Sequence, residues 1–330
     1  MVHYWLENVF INFLFCSFSI FIFYKLLKKI NYHDKNKAKL SDAKNIITSV
    51  GLIFSVNFFV ISLINFFFID LVNYLPNRFY IFYISIFLFS IIGFIDDRNE
   101  IDPKIKLIIQ LTLVYFSLTT LDLNSVALPL KLTIFIFLIV WTYIINIINF
   151  IDGSDGHCAV HSISFFIGIL FISLFLKINF FSTYIAFFII PSILIFLFLN
   201  KPRAKVYMGD SGSVFLGYLI GFVFLELSIN GMFLYVLMLL MYPILDCTIT
   251  LIIKVSKGHY PWEKLADYFF LIPIKNGQNH SQIFFSSILF NLINLILIIL
   301  MIHYSNIIFL ILSLLLSIIL IAYYKTFENE

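Results

Sequence analysis

Long apolar runs separated by short polar stretches make up most of the chain, and the runs at 283–301 and 307–322 carry no charged residue. A transmembrane helix needs about 20 such residues to cross about 30 Å of hydrocarbon. Backbone inside a bilayer must satisfy its own hydrogen bonds, which leaves helices or a closed barrel. A barrel would show short segments of alternating polarity, whereas these runs are continuous. The pattern therefore predicts an all-α, polytopic membrane helical bundle. About eleven transmembrane helices are expected, at 8–27, 46–71, 79–95, 105–121, 131–148, 159–176, 180–199, 214–229, 231–253, 283–301 and 307–324. The stretches 28–45, 96–104, 149–158, 200–213 and 254–282 then fall on one side with the C-terminus.

Charge identifies that side. Of the 21 Lys and Arg residues, all but Arg78, Lys131 and Lys177 lie on or beside it. The positive-inside rule makes it cytoplasmic, with the N-terminus outside. The lysines of the first span follow its apolar run, which suits a signal anchor. Composition agrees: 62% of the 330 residues are hydrophobic and 12% charged. Ordinary soluble domains have about 45–50% and about 25%, so a soluble enzyme and a disordered chain are excluded. Cys16, Cys158 and Cys247 lie far apart and read as small apolar residues without a metal or disulfide pattern.

Carboxylates near a membrane are costly and are functional candidates by default. Glu7, Asp70, Asp122 and Glu226 are isolated on the outer side and read as solvated or interfacial residues. The inner side holds three groups. The first is Asp96-Asp97, adjacent carboxylates whose repulsion a divalent cation would relieve. The second is Asn146, Asn149, Asp152 and Asp155, every third residue, with Gly153 and Gly156 among them. On an unbroken helix this spacing drifts about 60° per step. A break near Gly153 would fold the later groups over a cavity. The third runs from Asn200 through Lys201, Arg203 and Lys205 to Gly209-Asp210-Ser211-Gly212-Ser213, joining cations to a turn suited to an anion. Hard oxygen ligands, cations and turn amides on one face are what Mg²⁺-assisted phosphoryl transfer requires.

At these residues the sequence resembles the polyprenyl-phosphate N-acetylhexosamine-1-phosphate transferase family, glycosyl transferase family 4. The matching patterns are Asp96-Asp97, Asn146…Asn149…Asp152-Gly153-x-Asp155-Gly156, Asn200 with Gly209-Asp210-Ser211-Gly212-Ser213, and Pro243-x-x-Asp246. They cover roughly 40–285, and the resemblance implies one integral-membrane transferase domain over 1–330. Two patterns depart from it. Lys39 to Lys44 replace the family's Pro-Thr-Pro-Arg stretch, and the last loop keeps His280 where the family carries a histidine cluster. The muramoyl-pentapeptide branch, with its triple histidine, is thereby disfavoured.

The resemblance implies transfer of an N-acetylhexosamine 1-phosphate from a UDP-sugar to undecaprenyl phosphate, releasing UMP. The place is a bacterial inner membrane with the site facing the cytoplasm, and the product would start a cell-envelope glycan. The expected cofactor is Mg²⁺, with Mn²⁺ as its substitute. The expected partners are the two substrates and membrane lipid, without nucleic acid; a homodimer is admitted. Asp97 and Asp210 are the expected metal ligands, and Asp96, Asp97 and His280 the catalytic candidates. Asn149, Asp152, Asp155 and Asn200 are assigned to the nucleotide sugar, with Lys44 and Lys205 to its diphosphate. Asp246, inside the ninth span after Pro243, is expected to hydrogen-bond between elements and not to bind metal. The competing readings are an ion-coupled carrier or lipid flippase, and a non-catalytic relative that binds lipid phosphate.

Overall fold

The structure, a computed structural model, describes residues 2–30, 46–68, 78–260 and 267–329. Lys44 lies outside the described residues, as does Asp70. Each apolar run predicted from the sequence contains helix among the described residues. In chain order these are α1 (Val2–Lys29), α2 (Leu52–Phe68), α3 (Phe79–Arg98), α4 (Pro103–Ser117), α5 (Leu130–Phe150), α6 (His157–Leu176) and α7 (Phe181–Asn200). There follow α8 (Asp210–Leu227), α9 (Phe233–Leu239), α10 (Met241–Ser256), the single turn α11 (Ile272–Lys275), α12 (His280–Tyr304) and α13 (Ile308–Thr326). Eight segments among the described residues are long and apolar enough to cross a membrane, with α8 and α9 counted together as Asp210–Leu239. The protein is a multi-pass, all-helical membrane protein. The helices α2, α4 and α10 are shorter, at 17, 15 and 16 residues.

Two predicted spans differ from the observed helices, each for a local reason. The span expected from residue 46 begins instead at Leu52. Residues 46–51 are drawn out to pair with the segment before α8. Tyr207 donates its amide to the Ile47 carbonyl (2.7 Å), and Gly51 donates to Met208 (3.0 Å). The span expected over 231–253 is broken at Leu240, whose φ of −106° and ψ of 6° leave the helical region. Pro243 has no N–H to offer the Leu239 carbonyl, and its ring clashes there, so the helix restarts.

The helix at the centre is α8. Every residue from Ser211 to Leu225 is buried, as expected for a helix apolar on all sides. Its neighbours α3 and α5 approach closely. A side chain at Gly93 of α3 would bring its Cβ within 2.5 Å of the Asp210 carbonyl. Trp141 of α5 donates its indole N–H to the Tyr218 carbonyl (2.9 Å) and stacks on that ring at 5.0 Å. Small and polar residues join the other helices where lipid gives no hydrophobic drive. Asn57 of α2 donates to Ser192 of α7 (3.1 Å), which also meets Cys16 of α1 (3.2 Å). All three cysteines are buried and free, as expected.

The Gly93 contact predicts that Gly93→Val lowers the thermal midpoint in detergent, because overpacking costs roughly 1–3 kcal/mol. Ile91→Val, on an exposed part of the same helix, is expected to leave the midpoint within about 1 °C by the same measurement, as surface changes cost little.

Candidate active site

Asp96 and Asp97 end α3, Asp210 begins α8, and Asn149 lies in the last turn of α5. These termini meet at one end of the bundle. Gly93 and Asp97 are four residues apart and share a helix face, so the contact that seats α3 on α8 also aims Asp97 at the α8 N-terminus. Asp97 accepts from the Asp210 amide (2.7 Å), the Ser211 amide (3.3 Å) and the Ser49 hydroxyl (2.6 Å). A helix N-terminus leaves amides without intrahelical partners and carries partial positive charge. Asp97 supplies the missing acceptor from another helix. The turn before it requires glycine: Gly209 has φ +72°, and a Cβ there would lie 2.4 Å from the Asp97 carboxylate.

Asp96 faces the other way. It accepts from the Ile101 amide (2.7 Å) and from Lys106 Nζ (2.9 Å). Lys106 also pairs with Asp210, so one ammonium draws two carboxylates to a point. Asn149 donates to Ser213 (3.1 Å), in the first turn of α8. Asn146 is not brought to this cluster. It donates to Gln110 of α4 (2.9 Å) and to the Thr142 carbonyl (2.8 Å), joining helices.

A second cluster lies in the turn that follows Asn149. The helix stops at Phe150, and residues 151–156 turn into α6 with Gly156 at φ +72°. This is the break predicted near Gly153. Asp152 and Asp155 are buried in it. Asp155 accepts from the Ala204 amide (3.1 Å), and Asn200 accepts from the Gly156 amide (3.0 Å). The turn and the 200–206 loop therefore hold each other. His280, at the start of α12, closes the cluster. Its Nδ1 accepts the Asp155 N–H (3.1 Å) and lies 3.0 Å from the Ser154 hydroxyl. An Nδ1 that accepts places the ring proton on Nε2. Lys205 is exposed on its loop.

Sequence reasoning missed Lys106 and Ser49. Lys106 was visible as part of the basic side alone, yet Asp102-Pro103 is a helix-start signal. Asp102 caps α4 through the Lys104 amide (2.8 Å), which puts Lys106 in the first turn beside α3. Ser49 had no signal, because 46–51 read as helix. Glu226 is a correction. It is half-buried and not isolated: it accepts from the Ser182 amide (2.8 Å) and from the Ser182 hydroxyl, capping α7.

Apart from Ser49 and His280, the residues of this site lie within one recognisable stretch. Residues 79–228 match the family model described as glycosyl transferase family 4. The chain is 30% identical over 210 residues to the probable undecaprenyl-phosphate N-acetylglucosaminyl 1-phosphate transferase of Bacillus subtilis, covering 55% of this chain and 54% of that protein. It is 32% identical over 149 residues to the undecaprenyl-phosphate alpha-N-acetylglucosaminyl 1-phosphate transferase of Thermotoga maritima, covering 43% and 42%. It is 28% identical over 244 residues to the phospho-N-acetylmuramoyl-pentapeptide-transferase of Petrotoga mobilis, covering 67% and 74%. The chain thus spans about half the length of the Bacillus and Thermotoga relatives it matches. Glycosyl transferase family 4 is a family of enzymes, and all three names are those of sugar-phosphate transferases.

The donor set suits a hard divalent cation. Mg²⁺ is usually held by one or two carboxylates plus substrate phosphates. The sequence pointed to Asp97 with Asp210 as the ligands, but both Asp97 oxygens accept hydrogen bonds from the α8 amides and Ser49. It is Asp96 that converges with Asp210 on a point already favourable to positive charge, where Lys106 reaches both. No three His, Cys, Asp or Glu side chains form a metal group among the described residues, so substrate oxygens would complete the shell.

Removing the ammonium should expose the repulsion between the acids. Breaking a buried pair costs about 3–5 kcal/mol. The side chains of Lys106, Asp96 and Asp210 keep 17%, 13% and 30% exposure, and screening reduces the cost to roughly 1–3 kcal/mol. Lys106→Met is therefore expected to lower the thermal midpoint of the purified protein, and Lys106→Arg to recover most of it.

Proposed function

We propose that this protein transfers an N-acetylhexosamine 1-phosphate from a UDP-sugar to undecaprenyl phosphate, with Mg²⁺, to give a lipid diphosphate sugar and UMP. The observation that carries the reading is the meeting of Asp96, Asp97, Lys106, Asn149 and Asp210 where four helix termini converge, inside the stretch that matches the family. A carrier would place its ionisable groups near the bilayer midplane. Here they sit in the first or last turn of their helices.

In the proposed reaction an oxygen of the lipid phosphate attacks the phosphorus that bears the sugar. The bond to the bridging oxygen breaks, and UMP leaves with that oxygen. A phosphate monoester has its second pKa near about 6, so the attacking group is already largely dianionic at neutral pH. It needs positioning more than a base. Asp96 and Asp210 would hold Mg²⁺, which supplies charge neutralisation for the diphosphate. Lys106 keeps those two carboxylates together, and Asn149 holds the first turn of α8 through Ser213. Asp97 fixes the α8 N-terminus. The turn containing Asp152 and Asp155, with Asn200 and His280 packed on it, offers carboxylate and amide acceptors for the hydroxyl and imide donors of the nucleotide sugar. Lys44 and Lys205 remain candidates for its phosphates. The product would begin a cell-envelope glycan.

The site is proposed to face the cytoplasm of a bacterial inner membrane, with the N-terminus outside, on the lysine and arginine distribution. The helix α12 starts at the site with His280, so a crossing α12 carries Asn306 to the opposite face. A membrane-impermeant maleimide applied to intact cells should label Asn306→Cys and spare Lys201→Cys; the reverse pattern would overturn the orientation. The native cysteines are buried and give low background.

The reaction is tested with purified protein, Mg²⁺, undecaprenyl phosphate and a panel of UDP-N-acetylhexosamines, reading UMP release. UMP is expected with at least one sugar. Asp210→Asn should reduce the rate at least about 100-fold, comparable to losing one electrostatic stabiliser of a transition state. No UMP with any sugar would refute the proposed function. Release that survives Asp210→Asn would refute the metal assignment.

A further inference from the structure

Asp246 lies outside the machinery described above, yet its carboxylate is fully buried in α10. Buried carboxylates are rare unless their oxygens are satisfied. Asp246 accepts from the Phe269 amide (3.0 Å), the Phe270 amide (3.3 Å) and the Tyr242 hydroxyl (2.7 Å), with Thr250 more distant at 3.4 Å. Two of these donors belong to the loop that leads to His280. The carboxylate therefore anchors a strap covering 267–280. Lys275 donates to Asp267 (2.6 Å) and closes the strap on itself. That hydrogen bond holds the Asp267 carboxyl below the usual carboxylate range.

The strap touches the 151–156 turn at three places. Its far end is His280, bound to Ser154 and Asp155. Its middle lies over Gly153, where an added Cβ would sit 3.2 Å from the Phe270 ring and 3.4 Å from Leu271. The third contact is a ladder of rings. Phe150 stacks on Tyr268 at 5.4 Å, Tyr268 on Phe270 at 6.0 Å, and Phe270 on His157 at 4.5 Å. Phe150 is the residue just before the turn and His157 the residue just after it. The two strap rings thus bridge both ends of the turn. Aromatic pairs at these separations are attractive beyond their burial, and the Asp246 hydrogen bonds set the height of Phe270 in the ladder.

We propose that Asp246 is a positioning residue that fixes the strap, and through it the shape of the 151–156 turn and the place of His280. The proposal rests on the proposed function only where activity is read. Asp246 touches no substrate, so its loss acts on donor recognition through the turn and leaves the acid cluster of Asp96, Asp97 and Asp210 in place.

The experiment compares wild type, Asp246→Asn, His280→Ala and the double variant, each full length and monodisperse in detergent. For Asp246→Asn we expect the donor KM to rise about tenfold and kcat to change less than threefold. The costs of Asp246→Asn and His280→Ala on kcat/KM should not add, since groups acting through one contact are coupled. Additive costs, or a loss confined to kcat, would overturn the proposal. A second readout needs no turnover: trypsin cleavage after Lys275, followed by mass spectrometry, should be about tenfold faster in Asp246→Asn than in wild type. An unchanged cleavage rate would overturn the strap. If wild type releases no UMP, the proposed function fails while the cleavage comparison still decides on the strap. Should Asp246→Asn fail to accumulate, Tyr242→Phe, which removes a single hydrogen bond to the same carboxylate, takes its place with about threefold faster cleavage expected.

Discussion

The carboxylate of Asp97 on the first amides of α8 is the contact on which the rest of the site depends. A buried helix N-terminus needs acceptors, and here they come from the last turn of another helix. The contact forms only because α3 can approach to backbone distance, and Gly93 and Gly209 permit that approach. Once it forms, the position of everything nearby follows. Asp96 is the next residue of the same turn and points to Lys106. Asp210 is the residue whose amide is capped, so its side chain emerges beside the same lysine. Three acids and one ammonium then share a small region at the bundle end. The excess negative charge is what a divalent cation would balance.

Much of this was legible in the sequence, for physical reasons that can be named. The helices follow from continuous apolar runs, because a membrane span has to be apolar along its whole length. The break after Asn149 follows from two glycines and a spacing that no straight helix could present to one cavity. Gly209-Asp210-Ser211 was readable as a turn opening a helix. What escaped was chiefly pairing between distant segments. Residues 46–51 look like the start of an apolar helix, and only Met208 and Tyr207, some 160 positions on, draw them straight. Ser49 reaches Asp97 for that reason. Glu226 was misread likewise. Its acceptor role depends on Ser182, which nothing in the local sequence of α8 reveals.

Pro243 and Asp246 show how one local feature can have two uses. The proline interrupts the helix at Leu240, so α10 starts afresh at Met241. Three residues later Asp246 is buried where a strap needs an anchor. A carboxylate at this depth would be unfavourable with its oxygens unsatisfied. Amides of an irregular loop would be equally unfavourable without acceptors. Each satisfies the other. The irregular backbone near 269–270 is tolerated because α10 presents the acceptor it needs.

The same logic extends to the two clusters of the site. The acid cluster is held by charge: Lys106 between Asp96 and Asp210, and Asp97 on a helix terminus. The turn that follows Asn149 is held mainly by neutral hydrogen bonds and stacked rings, with Asn200, His280, Tyr268 and Phe270 as its supports. Charge is strong but tolerant of geometry, whereas amide hydrogen bonds and ring contacts fix shape. A diphosphate and its metal need neutralisation more than exact placement. A base, a ribose and an acetamido sugar are distinguished by the placement of single donors and acceptors, and a site that recognises them is better built from contacts that fix shape. In the proposed reaction, the division between Asp96, Asp97, Asp210 and Lys106 on one side and the strapped 151–156 turn on the other matches what a diphosphate and a nucleotide sugar would each demand.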